Sequence, residues 1–226
     1  MTRARSNAVV GAVKAGDIMV KHRYGVDATG IAIKIGQLFS RGKSDFVHAG
    51  IASSPTTIIE MDGDGLQENS LLIKNAKYTY DVFRCAIPSI AEGAAQTAIM
   101  MRQGVAPGGG FNAGGTTQMP YTIGGAVKSL GRGGGVQSTD RVNTLLDQLL
   151  AGGKQAFFCS GHVVYCYLVA MEQANIAIQG SFPLQNMQAV FGMEARYYNP
   201  SFLHQHLSNN QNFTRVGKVR GGVRVG

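Results

Sequence analysis

The stretch that most constrains the fold runs from Gln155 to Tyr165, where two aromatic residues lead into Cys159. Small residues follow Cys159, and apolar residues then recur at helical spacing, which predicts a buried helix with Cys159 in its first turn. The free backbone N–H groups and the dipole at a helix start favour a thiolate over a thiol. A cysteine in that position becomes a nucleophile when a histidine partners it. We expect the rest of the fold to bring His48 to Cys159.

Two apolar runs, at 46–52 and 57–61, are separated by a short turn and predict a β-hairpin. The first run carries His48 and the second carries Glu60, and side chains on neighbouring antiparallel strands can face each other across the ladder. A carboxylate beside the imidazole would hold its tautomer and stabilise its charged form. The alternatives are an exposed residue or an ion pair for Glu60 and a hydrogen-bonded core histidine for His48.

The remaining pattern predicts a mixture of strands and helices. Asp17 is expected to cap a turn that leads into a strand at 18–20. A long glycine-rich segment at 104–135 lacks the spacing of a phosphate-binding loop and is expected to be a functional or disordered insert. Other predicted elements are a short helix within 25–42, strands at 78–84 and 213–219, and helices at 89–104, 138–151, 159–175 and from Pro200, with Asn199 as the cap.

Length and composition favour one globular domain over residues 1–226. Hydrophobic residues make up 44% of the chain, but no apolar run approaches the ~20 residues of a membrane span. The net charge of +8 would suit an anionic wall, membrane or nucleic acid, although solubility alone would also account for it. No nucleic-acid-binding motif is present. The basic tail, 215–224, is expected to be frayed or an edge strand.

The chain has three cysteines, which argues against a disulfide framework, and Cys85 and Cys166 are expected to be small buried hydrophobes. We expect no metal and no cofactor. The acidic turn at 62–65 has the wrong spacing for a calcium loop. His204 and His206 would point to different faces of a helix, which does not suit a metal site. The N-terminus lacks a signal-peptide core, so the protein is expected to be made in the cytoplasm without a cleavable signal.

Several short motifs, taken together, resemble a known family. The run Phe-Cys-Ser-Gly at 158–161, followed by an apolar helix, resembles the nucleophile motif of NlpC-type papain-like cysteine peptidases. The tyrosine and double glycine at 120–125 are similar to another element of that family. In ordinary members the cysteine precedes the histidine strand, whereas here the histidine strand comes first. This order resembles the circularly permuted branch, which includes the lecithin-retinol acyltransferase-like proteins.

That branch also shares a Gly-Asp-Ile start, here at 16–18, a His-x-Gly-Ile strand, here at 48–51, and an Ile-Glu strand, here at 59–60. A Pro-x-x-Leu segment, here at 200–203, is similar as well. Two features depart from the pattern: Gly161 and His162 stand where the branch often has an acid, and the glycine-rich insert is longer than expected. The resemblance implies an α+β fold in which a small antiparallel sheet packs against the helix that carries the nucleophilic cysteine.

The resemblance also implies a catalytic triad in which Cys159 is the nucleophile, His48 the general base and acid, and Glu60 the orienting group. It makes Tyr121 a candidate oxyanion donor, together with the backbone N–H of Cys159. Asp17 and His162 are candidates for supporting positions around the triad, and a surface position is the other expectation for His162.

The implied activity is hydrolysis of amide bonds in peptidoglycan peptides, without a cofactor. Because no cleavable signal is predicted, we expect an antibacterial effector that a secretion system, for example type VI, delivers to the periplasm of a target cell, where an immunity protein would be a further partner. No nucleic-acid partner and no stable membrane insertion are expected. The alternatives are a lipid acyltransferase or esterase that uses the same triad, and a non-catalytic binding module.

Overall fold

The structure is a computed structural model that describes residues 12–24, 45–62, 65–103, 159–177, 190–191 and 198–225. Its strands are β1 (Ile18–His22), β2 (Phe46–Ser54), β3 (Thr57–Asp62), β4 (Gly65–Ser70), β5 (Thr79–Cys85), β6 (Phe213–Arg220) and β7 (Val223–Val225). Its helices are α1 (Pro88–Gln103), α2 (Cys159–Ala177) and α3 (Pro200–Asn209). The predicted helices at 25–42 and 138–151 and the insert at 104–135, with Tyr121, lie outside the described residues.

The seven strands in the described part of the chain form one antiparallel sheet in the order β4-β3-β2-β1-β5-β6-β7. The architecture is therefore α+β, with an antiparallel sheet packed against the helix that begins at Cys159, as predicted. β1 lies at the centre, where it pairs with β2 on one side and β5 on the other. The basic tail forms β6 and the edge strand β7, which confirms the edge-strand interpretation.

The two faces of the sheet bury different cores, because successive side chains of a strand point to opposite faces. Ile18 and Val20 of β1 join the larger core, which the helices cover. Met19, between them, joins a smaller core on the other face with Ile58 and Tyr80. Side chains of α2 from Cys159 to Glu172 are buried, so this helix is enclosed on all sides. Cys85 and Cys166 are buried and free, as predicted.

The turn before β1 ties the sheet to the helices. Gly16 has a φ of 87° and approaches α1 so closely that a Cβ there would lie 2.2 Å from the Ala91 carbonyl oxygen. Asp17 accepts a hydrogen bond from the Lys14 N–H at 2.8 Å, which confirms its capping role. The Asp17 carboxylate also receives two hydrogen bonds from the Arg84 guanidinium. The charge of this buried carboxylate is thereby compensated at the start of β1.

The helix starts follow local sequence signals. Asn199 caps α3 by accepting a hydrogen bond from the Phe202 N–H at 2.8 Å, and Pro200 occupies the first helical position, as predicted. α2 begins at Cys159, also as predicted. Ser160, in its first turn, donates a hydrogen bond to the Tyr198 carbonyl oxygen and so joins the start of α2 to the segment that precedes α3. Within the described residues, no helix combines the length and apolar character needed to cross a membrane.

Candidate active site

The β2–β3 pair brings His48 and Glu60 together. Glu60 lies directly opposite Gly50, and His48 is two residues before Gly50, so His48 and Glu60 are diagonal neighbours on one face. The His48 Nε2 atom lies 3.1 Å from Glu60 Oε2. The hairpin therefore joins the two residues as the sequence predicted, through a diagonal contact made across a glycine and not through a directly opposite pair.

Gly50 leaves room for this contact. A Cβ at this position would lie 2.7 Å from both the Ile58 Cδ1 atom and the Ile59 carbonyl oxygen. A side chain between His48 and Glu60 would therefore push β3 away from β2 and separate the two groups. The fold thus gives a steric reason for glycine, and no larger residue, at position 50 of the His-x-Gly motif.

Two asparagines that the sequence pattern did not predict as site residues fix the other oxygen of Glu60. Asn69 on β4 and Asn75 in the turn after β4 each donate a side-chain N–H to Glu60 Oε1 at 2.7 Å. All three side chains are buried. With Oε1 held by two amides, Oε2 is directed at His48. Asn69 and Asn75 therefore orient the Glu60 carboxylate, and Glu60 in turn is expected to orient the His48 imidazole.

Cys159 reaches this pair from the start of α2. Ala52 donates its backbone N–H to the Asp17 carbonyl oxygen, on the side of β2 that faces β1. Backbone N–H groups of successive strand residues point to opposite sides, so the N–H of Ala49, three residues earlier, points to the β3 side. The described pairing of β2 with β3 begins only at Gly50, so the ladder does not use the Ala49 N–H. That N–H donates to the Cys159 sulfur, as does the N–H of Ser160. The sulfur therefore lies where β3 diverges from β2.

The Cys159 sulfur and the His48 imidazole lie close enough for charge attraction and hydrogen bonding to shift the pKa of each group. Because Nε2 of His48 faces Glu60, Nδ1 is the ring nitrogen left for the sulfur. The three groups thus form a chain from sulfur to imidazole to carboxylate. This is the arrangement of a nucleophile, a general base and an orienting acid.

The electrostatics favour a charged form of this chain. Burial raises the pKa of the Cys159 thiol, but the His48 imidazolium and the hydrogen bonds to the sulfur outweigh burial and lower it. Burial lowers the pKa of His48, but attraction to the Cys159 thiolate and hydrogen bonds with Cys159 and Glu60 raise it to about 10. The two shifts together favour the thiolate and the imidazolium over the neutral thiol and the neutral imidazole.

The Glu60 carboxylate completes this charge pattern. Burial raises its pKa, but the hydrogen bonds and charge of His48, with the two asparagines, lower it to about 2. The carboxylate therefore stays ionised near neutral pH, beside the His48 imidazolium. It neutralises the imidazolium without competing for its proton.

The structure does not bring Asp17 to the triad. Asp17 precedes Ile18, which pairs with Ile51, whereas His48 pairs with Lys21 at the other end of β1. Asp17 and Lys21 are four residues apart along the strand, which separates the two places by about 13 Å. The contacts of Asp17 with Lys14 and Arg84 give it a structural role in the turn.

His162 is buried one turn after Cys159, so the expectation of a surface position is wrong. Its Nε2 atom lies 3.4 Å from the Cys166 sulfur. Burial lowers the pKa of His162 to about 4, with a further contribution from the charge of His48. His162 is therefore a neutral residue behind the triad, which agrees with a supporting position. The sequence pattern did not decide this, because α2 is enclosed on all sides and has no exposed face for a polar residue.

The candidate oxyanion donor Tyr121 lies outside the described residues. The other candidate, the N–H of Cys159, lies at the first residue of α2, where backbone N–H groups have no partner within the helix. Among the described residues, no three His, Cys, Asp or Glu side chains are grouped so that they could hold a metal ion. No protein-family model, no curated protein and no solved structure matches the chain.

Proposed function

We propose that the protein is a cysteine hydrolase that cleaves amide bonds through an acyl-enzyme formed on Cys159. The observation that carries the proposal is the buried chain of interacting groups Cys159, His48 and Glu60, in which His48 interacts with the Cys159 sulfur and its Nε2 atom lies 3.1 Å from Glu60 Oε2. A purely structural cysteine in a core is expected to be a neutral thiol, as burial makes Cys85 and Cys166 by raising the pKa of each. Cys159 differs from both because an imidazole and two N–H groups lower its pKa.

In the proposed mechanism, the Cys159 thiolate attacks the carbonyl carbon of the substrate and forms a tetrahedral oxyanion. The N–H of Cys159 and, as the resemblance implies, the Tyr121 hydroxyl would donate hydrogen bonds to that oxygen. The imidazolium of His48 gives its proton to the leaving amine as the C–N bond breaks, which produces a thioester and a neutral imidazole. His48 then removes a proton from water, which attacks the thioester and releases the acid and the thiolate.

For the substrate, we propose the peptides of peptidoglycan. The family resemblance implies amide hydrolysis in such peptides, and the net charge of +8 would favour an anionic wall. No cofactor enters the mechanism. The competing proposal, a lipid acyltransferase or esterase, would use the same three residues on an ester.

Purified cell walls and ester-lipid vesicles, incubated in parallel with the protein, test the substrate. We expect release of new amino termini from the walls and no fatty acid release from the vesicles, with analysis by mass spectrometry. Cys85→Ala is the matched control, because it removes a buried thiol that lies outside the triad. Release of fatty acid with intact walls would favour the lipid enzyme. No turnover of either substrate, together with an unreactive Cys159, would favour a binding module.

We further propose that the protein acts in the periplasm of a target bacterium as a secreted effector, with an immunity protein as a partner. Expression in a test bacterium with and without an added periplasmic signal checks this proposal. We expect lysis only with the signal, because peptidoglycan lies outside the inner membrane, and no lysis with the signal plus Cys159→Ala. Equal toxicity without the signal would contradict a wall substrate.

A further inference from the structure

The large hydrophobic side chains that are exposed among the described residues are Tyr24, Leu72 and Ile73, with 46%, 52% and 82% of their surface accessible. Leu72 and Tyr24 lie near the turn between β6 and β7, and Ile73 follows Leu72 in the chain. A Cβ on Gly222 would lie 2.3 Å from Leu72 Cδ2, so Leu72 lies directly against this turn. The Arg220 guanidinium, at the other side of the turn, lies 6.0 Å from the Tyr24 ring centroid. We call this surface, with Lys21, Lys77 and Tyr78, the basic apolar corner.

The charges of the corner have one sign. The three segments that build it, 21–24, 71–78 and 216–225, contain two, two and three Lys or Arg residues, and none contains Asp or Glu. The Lys21 ammonium lies 3.3 Å from the Tyr78 ring centroid, and the Lys77 ammonium lies 5.0 Å from the same ring. Cation–π contacts of this kind hold positive charges at the surface of an aromatic platform.

We infer that the basic apolar corner docks on a bilayer that contains anionic lipid. Leu72 and Ile73 would enter the boundary between headgroups and acyl chains, the tyrosines would lie at the headgroup level, and the basic side chains would contact lipid phosphates. An anionic polymer would be bound by the charges alone. Binding to such a polymer would not explain why Ile73, in a turn with basic residues, is 82% exposed. The combination of apolar tip and basic surround therefore favours a lipid surface.

Docking would also orient the candidate active site. Lys21, which belongs to the corner, is the cross-strand partner of His48, so the corner begins one strand away from the imidazole. The docked protein would hold its catalytic histidine beside the membrane surface. The inference goes beyond the proposed function and does not depend on catalysis by Cys159.

Vesicle co-sedimentation tests the inference with vesicles of phosphatidylglycerol and phosphatidylcholine, compared with vesicles of phosphatidylcholine alone. We expect the full chain to bind the anionic vesicles at least tenfold more tightly and the binding to weaken at high salt, because screening reduces the charge attraction. The double variants Leu72→Ser/Ile73→Ser and Lys77→Gln/Arg220→Gln should each lose at least tenfold in affinity. Arg102→Gln is the matched control, because Arg102 is an exposed basic residue on α1 that pairs with Glu68.

Circular dichroism of each variant establishes that it is folded, and the replaced side chains are exposed. Equal binding of the two vesicle types, or no binding, would overturn the inference. Loss of binding with the Lys77/Arg220 variant but not with the Leu72/Ile73 variant would also overturn it in favour of an anionic polymer. Cys159→Ala should bind vesicles like the unmodified chain, so failure of the proposed chemistry and failure of docking can be distinguished.

Discussion

Replacement of Cys159 by alanine is expected to lower amide hydrolysis by at least about 10⁴-fold while the protein stays folded. The loss should be this large because the sulfur is the atom that forms the acyl-enzyme, and within the described residues the other thiols, Cys85 and Cys166, are buried neutral groups whose pKa burial raises. The measurement is the rate of release of new amino termini from purified walls. Cys85→Ala, assayed beside it, should keep its activity.

The same assay ranks the other two members of the triad. His48→Ala should lose activity about as severely as Cys159→Ala, because residues that act as a unit are not additive. Glu60→Gln should slow turnover less, since the amide keeps the hydrogen bonds from Asn69 or Asn75 but loses the negative charge beside the imidazolium. Full activity of Cys159→Ala would exclude the mechanism. Full activity of Glu60→Gln would exclude only the electrostatic role of Glu60.

The elements that carry the triad could be predicted because their signals are local. Two apolar runs around a short turn specify the hairpin of β2 and β3. Two aromatics, a cysteine, small residues and a long apolar run specify the start of α2. In each case the candidate catalytic residue lies within the strand or helix that the residues next to it in sequence predict. The hairpin also predicted that His48 lies beside Glu60, and the family resemblance agreed with the expected pairing of His48 with Cys159.

The surroundings of the triad could not be predicted, because they depend on pairing between elements. Asn69 and Asn75 occur in a polar strand and a turn, where asparagine is usually exposed, and only the register of β4 against β3 turns both toward Glu60. The diagonal contact of His48 with Glu60 likewise depends on the position of the turn that sets the β2–β3 register. His162 became a buried residue because α1 and the sheet enclose α2.

Removal of the imidazole is expected to change the acidity of Cys159 as well as its activity. In His48→Ala the sulfur keeps the hydrogen bonds from the Ala49 and Ser160 N–H groups but loses the positive charge and hydrogen bond of His48. Because burial raises the pKa of the thiol and fewer groups then lower it, the pKa of Cys159 should rise in this variant. We expect the rate of alkylation by iodoacetamide at pH 6 to fall at least tenfold, because an ordinary thiol with a pKa of ~8.5 is almost fully protonated there.

The pH profile of hydrolysis tests the same pair of charges in the unmodified chain. In the unmodified chain, the thiolate–imidazolium pair exists above the lowered pKa of Cys159 and below the pKa of His48, which is about 10. Hydrolysis should therefore rise on the acid side as the thiol ionises and fall near pH 10 as the imidazolium loses the proton that it must give to the leaving amine. A Cys85→Ala background restricts the measured alkylation to Cys159 and Cys166. If His48→Ala were alkylated at pH 6 as fast as the unmodified chain, the imidazole would not be the group that ionises the sulfur.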